Sequence, residues 1–209
     1  MKILGIDEAG RGPVLGPLVV CGAVIPQDMI VILERMGIKD SKKLTPSRRN
    51  VLARKIRKMA ECHVVKITAQ DIDNLRAKDV NLNEIEKIAM IKIINMADAD
   101  SVIIDSVDVV PDRLTRQIKE VVGDDMEVKA EHGADDKYIP VAAASIVAKV
   151  ERDIEIEKLS RQYKKIGGMG SGYPSDPRTK AFLEKFEYHE LPDFVRKSWA
   201  TVEKLKDKK

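Results

Sequence analysis

A short apolar run that ends in two adjacent carboxylates, then in a glycine-flanked arginine, constrains this chain more than any other stretch: Gly5-Ile6-Asp7-Glu8-Ala9-Gly10-Arg11-Gly12-Pro13. Ile3, Leu4 and Ile6 read as a buried strand, and the Gly/Pro-rich segment after it reads as a loop. Carboxylates beside a buried strand cost stability unless a cation or hydrogen-bond donors offset them. At a strand end they can hold a hard divalent cation. The following loop can bring backbone N–H groups and one guanidinium close to a phosphate. The combination points to metal-dependent phosphodiester chemistry.

At 209 residues the chain can build one good core with a small appendage. Hydrophobic residues make up 44% and charged residues 34%, an ordinary globular balance, whereas aromatics are scarce at 4%. No apolar run approaches the roughly 20 residues of a membrane span, and the N-terminus lacks a signal-peptide pattern. The expectation is a cytoplasmic monomer with no membrane partner. Cys21 and Cys62 make neither a disulfide framework nor a metal-ligand spacing. Net charge is only +3, but it is unevenly spread. Arg196 to Lys209 holds six basic and two acidic residues, and a second basic run extends from Lys42 to Lys58. Such clusters suit a polyanion, or are solvated helix faces.

Strands are expected at 2–7, 17–25, 63–68, 101–105 and 127–131. Thr45-Pro46 reads as an N-cap with proline in the first turn of a helix to about Ala60. Asn81 and Glu84 resemble a capping box for a helix to about Met96. Its isoleucines lie almost all round, which predicts a helix buried on every side. Pro111 opens a short helix before Gly123. The longest helix is expected from about Val141 to Tyr163, with Ala143, Val147, Val150 and Ile154 on one face. After the glycine-rich stretch 167–174, helices are expected at 177–187 and 193–205. Strands first and helices last fit an α/β layer core with a helical C-terminal portion.

Phosphodiester hydrolysis with two metal ions needs about three or four acidic side chains holding ions roughly 4 Å apart. Asp7 and Glu8 are the first candidates. Adjacent strand residues face opposite ways, so both can serve one site only where the strand twists or ends. Asp105 terminates Val102-Ile103-Ile104 and should stand at a strand mouth, with Asp108 as its competitor. Asp135 or Asp136 precedes the small-residue run from Val141 to Val147. A carboxylate before a helix can equally be a cap.

Five blocks together resemble the type 2 ribonuclease H family, in the compact single-chain form of its archaeal branch. They are Gly5 to Pro13, Asp40-Ser-Lys-Lys-Leu44, Ala142-Ala-Ala-Ser-Ile-Val-Ala-Lys149, Glu151-Arg-Asp153 and Gly170-Ser-Gly-Tyr-Pro-Ser-Asp-Pro177. The resemblance implies a ribonuclease-H-like mixed sheet flanked by helices, with a catalytic core over 1–165 and a C-terminal helical substrate-binding extension over 166–209. It implies a metal-dependent endoribonuclease that hydrolyses the RNA strand of RNA/DNA hybrids and single ribonucleotides embedded in duplex DNA, leaving 3′-hydroxyl and 5′-phosphate ends. Carried over residue by residue, Asp7, Glu8, Asp105 and Asp135 are catalytic and hold two Mg²⁺ or Mn²⁺ ions. Counting back ten positions from Ser145 selects Asp135 over Asp136. Gly133 departs from the family, which has lysine in His-Lys-Ala-Asp.

The resemblance further assigns Gly10-Arg11-Gly12 and Tyr173 to the 2′-hydroxyl and its sugar, which alone separate RNA from DNA. Lys42, Lys43 and Lys149 are expected on backbone phosphates. His132 lies near Asp135 in sequence, while His63 and His189 are expected to be structural. A DNA nuclease on the same fold and a non-catalytic nucleic-acid-binding module are the competing readings. The Gly-Arg-Gly loop with Tyr173 argues against the first, and the full acidic set against the second. Val202 to Lys209 has no aromatic pair of the type used by clamp-binding tails, which argues against a sliding-clamp partner.

Overall fold

The computed structural model describes residues 1–39, 44–123 and 125–206. Lys42 and Lys43, expected to grip phosphates, lie outside these residues, as does the rest of Asp40 to Lys43. The five expected strands are all present: β1 (Lys2–Ala9), β2 (Leu18–Pro26), β3 (Glu61–Ile67), β4 (Ser101–Asp105) and β5 (Glu127–Glu131). They form a sheet of order β3-β2-β1-β4-β5. β1 is antiparallel to β2 and parallel to β4, and β4 is parallel to β5. The sheet is therefore mixed, as expected. The helices are α1 (Ile30–Arg35), α2 (Pro46–Met59), α3 (Ala69–Arg76), α4 (Leu82–Met96), α5 (Pro111–Val122), α6 (Ala134–Lys137), α7 (Ile139–Tyr163), α8 (Pro177–Leu183) and α9 (Ala200–Glu203). No helix among the described residues is long and apolar enough to cross a membrane.

Local chemistry explains the boundaries. The Thr45 hydroxyl accepts from the Arg48 amide, and Pro46 starts α2 where no N–H is needed. Thr68 and Asp71 close a reciprocal capping box on α3. Gly123 ends α5 at φ +86°. Three expectations are corrected. α4 buries Ile85, Ala89, Met90, Ile93 and Ile94 but leaves Ile88 exposed, so it packs by one stripe. Ile154 is likewise exposed, although Ala143, Val147 and Val150 on its predicted face are buried. The helix expected at 193–205 shrinks to α9, because Val195 bridges Leu15 and the Arg196 amide donates to the Val14 carbonyl at 2.9 Å. Pairing with another segment has replaced the intrahelical bonds there.

Contacts cluster into two compact units. The sheet unit comprises 1–9, 19–65 and 83–150; the second comprises 10–18, 66–82 and 151–209. In the sheet unit, one face of β1 and β2 (Ala9, Val19, Cys21, Ala23, Ile25) packs with Leu33, Leu52, Ile56 and the first three turns of α7. The second unit has its own core of Val14, Leu15, Met169, Phe182, Leu183, Leu191, Val195 and Val202. Its rings pack edge to face, with Tyr163 centred 5.2 Å from Phe182 and 5.3 Å from Phe194.

Candidate active site

The pleat places the acidic residues. Gly5, Asp7 and Ala9 share one face of β1, while Leu4, Ile6 and Glu8 share the other. Ile6 pairs with Ile104 on β4, so Asp105, one residue further on, lies on the Asp7 face. Gly5 has no Cβ for a structural reason: one would stand 2.1 Å from the Pro140 carbonyl carbon and 2.3 Å from the Val141 nitrogen. The backbone of α7 thus touches that of β1. Two residues along the strand is Asp7, and one turn along the helix from Val141 is Ser145. The Ser145 hydroxyl donates to the Asp7 carboxylate. Lys149, a turn further, donates to the Ser145 hydroxyl.

The third acid comes from α6. Gly133 precedes it in the left-handed region at φ +64°, a conformation that would strain the lysine expected there. The Ala134 amide donates to Asp105 Oδ1 at 2.9 Å, which ties α6 to the end of β4. Asp135 is buried at 3% exposure whereas Asp136 is exposed. Asp7, Asp105 and Asp135 each offer an oxygen, all within 4.8 Å of one another. Asp136 and Glu8 are outside that group, Glu8 by the pleat. Asp108 is engaged elsewhere: it receives the Val110 amide and the Arg113 guanidinium, which hold its carboxyl below the usual range. His132 contacts the Ser106 carbonyl at 2.9 Å through Nδ1.

Burial pushes the Asp7 carboxyl up to about 7, and the charge of Asp105 adds to that; Ser145, Lys149 and the Glu8 amide pull the other way. A cation fits this donor set. It would supply the opposite charge that burial and carboxylate repulsion both lack, and the ligands are oxygens of the type hard divalent ions take.

The expected sugar-reading residues fall in the second unit and are built differently. At Gly10, with φ +91°, the space a Cβ would take is occupied by the chain itself, 2.5 Å from Arg152 Cδ and Nε and 2.7 Å from the Pro17 carbonyl. Gly12 is exposed, and the atom nearest its Cβ position is Tyr173 Cε1 at 3.6 Å. The Val14 amide donates to the Gly172 carbonyl at 2.8 Å, so the Gly10–Gly16 loop and the Tyr173 loop are joined. The Tyr173 loop is set by Asp176, which accepts the Ser171 and Arg178 amides at 2.7 and 2.9 Å, and by Thr179, which accepts the Gly172 amide at 3.0 Å. Tyr173 is 46% exposed.

Sequence reasoning missed Ser145, Arg152 and Arg196. Arg196, taken for part of a basic tail that touches phosphates, is 0% exposed. Its guanidinium donates to the carbonyls of Gly16, Arg11 and Gly10 at 3.0, 3.0 and 2.6 Å and stacks 4.8 Å from the Trp199 ring. Its apolar flanks, Phe194-Val195 before it and Trp199 after it, were the available signal.

A mixed sheet with helices on it and clustered carboxylates at the ends of its central strands defines the class: a nucleic-acid hydrolase with a ribonuclease-H-like fold. The Ribonuclease HII family model matches residues 4–202. Ribonuclease HII of Methanothermobacter thermautotrophicus is 64% identical over 206 residues, which cover 99% of this chain and 100% of the relative. The ribonuclease H2 structure from Pyrococcus horikoshii OT3 superposes with a TM-score of 0.91 at 43% identity, over 100% of this chain and 98% of that one. The RNase HII of an Archaeoglobus fulgidus PCNA:RNase HII complex superposes at 0.86 with 44% identity, over 95% of both chains. The chain belongs to the ribonuclease HII family and is a ribonuclease H type 2 hydrolase.

Proposed function

We propose that this chain is an endoribonuclease that cuts the RNA strand of RNA/DNA hybrids and also cuts at single ribonucleotides embedded in duplex DNA. It leaves 3′-hydroxyl and 5′-phosphate ends and works with two divalent ions, Mg²⁺ or Mn²⁺. The observation that carries the proposal is the meeting of Asp7, Asp105 and Asp135 within 4.8 Å beside buried strands. These three would hold the ions, and Glu8, near the end of β1 where a strand can twist its side chains toward one site, would be the fourth carboxylate. Bound there, the ions would supply Lewis-acid polarisation of the scissile phosphate and a more acidic attacking water.

The chain's own residues supply position and selectivity. Ser145 and Lys149 fix the orientation of Asp7 and favour its charged form. Gly10-Arg11-Gly12 and Tyr173 bind the ribose, with Gly12 the position open to a sugar and the Tyr173 ring beside it. Arg11 contributes a phosphate contact. Incubation with duplex DNA carrying one ribonucleotide, with and without Mg²⁺, tests the proposal. Cutting on the 5′ or 3′ side of that ribonucleotide, dependent on the metal, is the expected result. Equal cutting of an all-DNA duplex would refute it.

A further inference from the structure

Every carbonyl from Gly10 to Gly12 is taken up from one direction. Arg196 Nη2 donates to Gly10 O, Nη1 to Arg11 O, and the Trp199 indole donates to Gly12 O at 3.3 Å. The guanidinium also donates through Nε to Gly16 O, which closes the loop's far end. In a trans peptide the C=O and the following N–H point in opposite directions. With the Gly10 and Arg11 carbonyls drawn to a fully buried guanidinium, the N–H groups of Arg11 and Gly12 are directed away from it. Successive N–H groups turned the same way form a concave site for anions and lone pairs.

The segment carrying both donors is itself held. Asp73, on α3, accepts the Lys197 and Ser198 amides at 2.7 and 2.9 Å. A rigid guanidinium fork suits this task, because one planar group reaches three acceptors, whereas an ammonium is a point donor on a flexible stem.

We infer that Arg196, backed by Trp199 and anchored through Asp73, is a positioning residue for ribose selectivity: it fixes the peptide planes of the Gly10-Arg11-Gly12 loop so that their N–H groups meet the sugar-phosphate. This rests on the reading that the loop binds ribose. Arg196 is therefore not a phosphate contact, and its effect is on preference for RNA over DNA.

The test compares the wild-type chain with Arg196→Lys and Trp199→Phe. Affinity is measured for an RNA/DNA hybrid and for a DNA duplex of the same sequence, without divalent metal, alongside the melting temperature. Wild type should prefer the hybrid. Arg196→Lys should cut that preference about tenfold, the loss of one to two oriented hydrogen bonds, with DNA affinity unchanged. Trp199→Phe keeps the ring and removes one donor, so it should cut the preference about threefold at a near-native melting temperature. If Arg196→Lys does not fold, Trp199→Phe decides. A lowered melting temperature with the preference intact in the folded variants would overturn the inference and leave the ribose reading standing. A wild type with no preference for the hybrid would overturn that reading and the inference with it.

Discussion

In the sheet unit the core is built from Ala, Val, Leu and Ile, and the buried charges are carboxylates. In the second unit aromatic rings pack against an aliphatic core, and the buried charges are guanidiniums. Of the aromatic residues only Tyr138 belongs to the sheet unit. Small side chains let α7 lie against β1 at backbone contact, which crowds Asp7, Asp105 and Asp135 together. The chain supplies Ser145 and Lys149 to that group, yet the Asp7 carboxyl remains far above its ordinary range. Arg196, by contrast, is met by backbone carbonyls of its own unit. One unit stores an electrostatic deficit for an outside ion to fill. In the other, the buried Arg196 charge is met by carbonyls and holds a loop in shape.

The largest expected effect separates these roles outright. Asp7→Asn, Asp105→Asn and Asp135→Asn should each lower kcat/KM by on the order of 10²-fold or more, since each removes a charge proposed to hold the ions. Asp136→Asn, on an exposed position, should stay near wild type; the reverse pattern would identify the wrong aspartate of the pair. Next comes stability. Arg196→Met strips the donors from the carbonyls of Gly10, Arg11 and Gly16, which should cost about 3 kcal/mol in urea unfolding. A loss under about 0.5 kcal/mol, the usual size for a surface change, would mean that the carbonyls find other donors.

The third prediction turns on pH. Asp7 keeps its proton to about 7 in the folded chain, against 3.8 for the exposed group. Between those values the folded chain binds more protons than the unfolded one, so metal-free stability falls as pH rises through the window. The fall from pH 5 to pH 8 should be about 2–3 kcal/mol, and Asp7→Asn should abolish it and be the more stable protein at pH 8. Equal slopes for the two proteins would remove the deficit from the sheet unit. Tyr173 carries the smallest effect. Tyr173→Phe should cost about 1 kcal/mol in kcat/KM on a single-ribonucleotide duplex, one neutral hydrogen bond. Tyr173→Ala should cost several-fold more through lost positioning. If both match wild type, Tyr173 only anchors its loop.

The strands were legible because apolar runs bounded by Gly, Pro and charged residues identify themselves, and β1 to β5 all appear where expected. Asp105 was legible for the same reason, as the polar end of an apolar run. The choice of Asp135 came from a motif count, and Asp135 lies within 4.8 Å of Asp7 and Asp105. What stayed hidden depends on contacts distant in sequence. Nothing local marks Ser145 as the partner of Asp7, because the meeting follows from how closely a helix and a strand pack. Arg196 looked like a surface cation because a sequence shows charge but not its enclosure. The 193–205 helix failed with it, since a segment whose amides and side chain serve another loop cannot also close its own turns. At Gly10 the space a Cβ would take is filled by Arg152, a contact far along the chain that no local pattern announces.

The backbone contact at Gly5 has a consequence for how this chain tolerates change. A single methyl there would overlap Pro140 and Val141 backbone atoms that no rotamer can move aside. In a library selected only for folded, protease-resistant protein, with no nuclease assay, position 5 should be as depleted of substitutions as the deepest core position. Positions 7, 105 and 135 should accept amides and even gain from them. The two lists, read from one experiment, would separate the position that sets how closely helix and strand pack from the positions proposed to carry the chemistry.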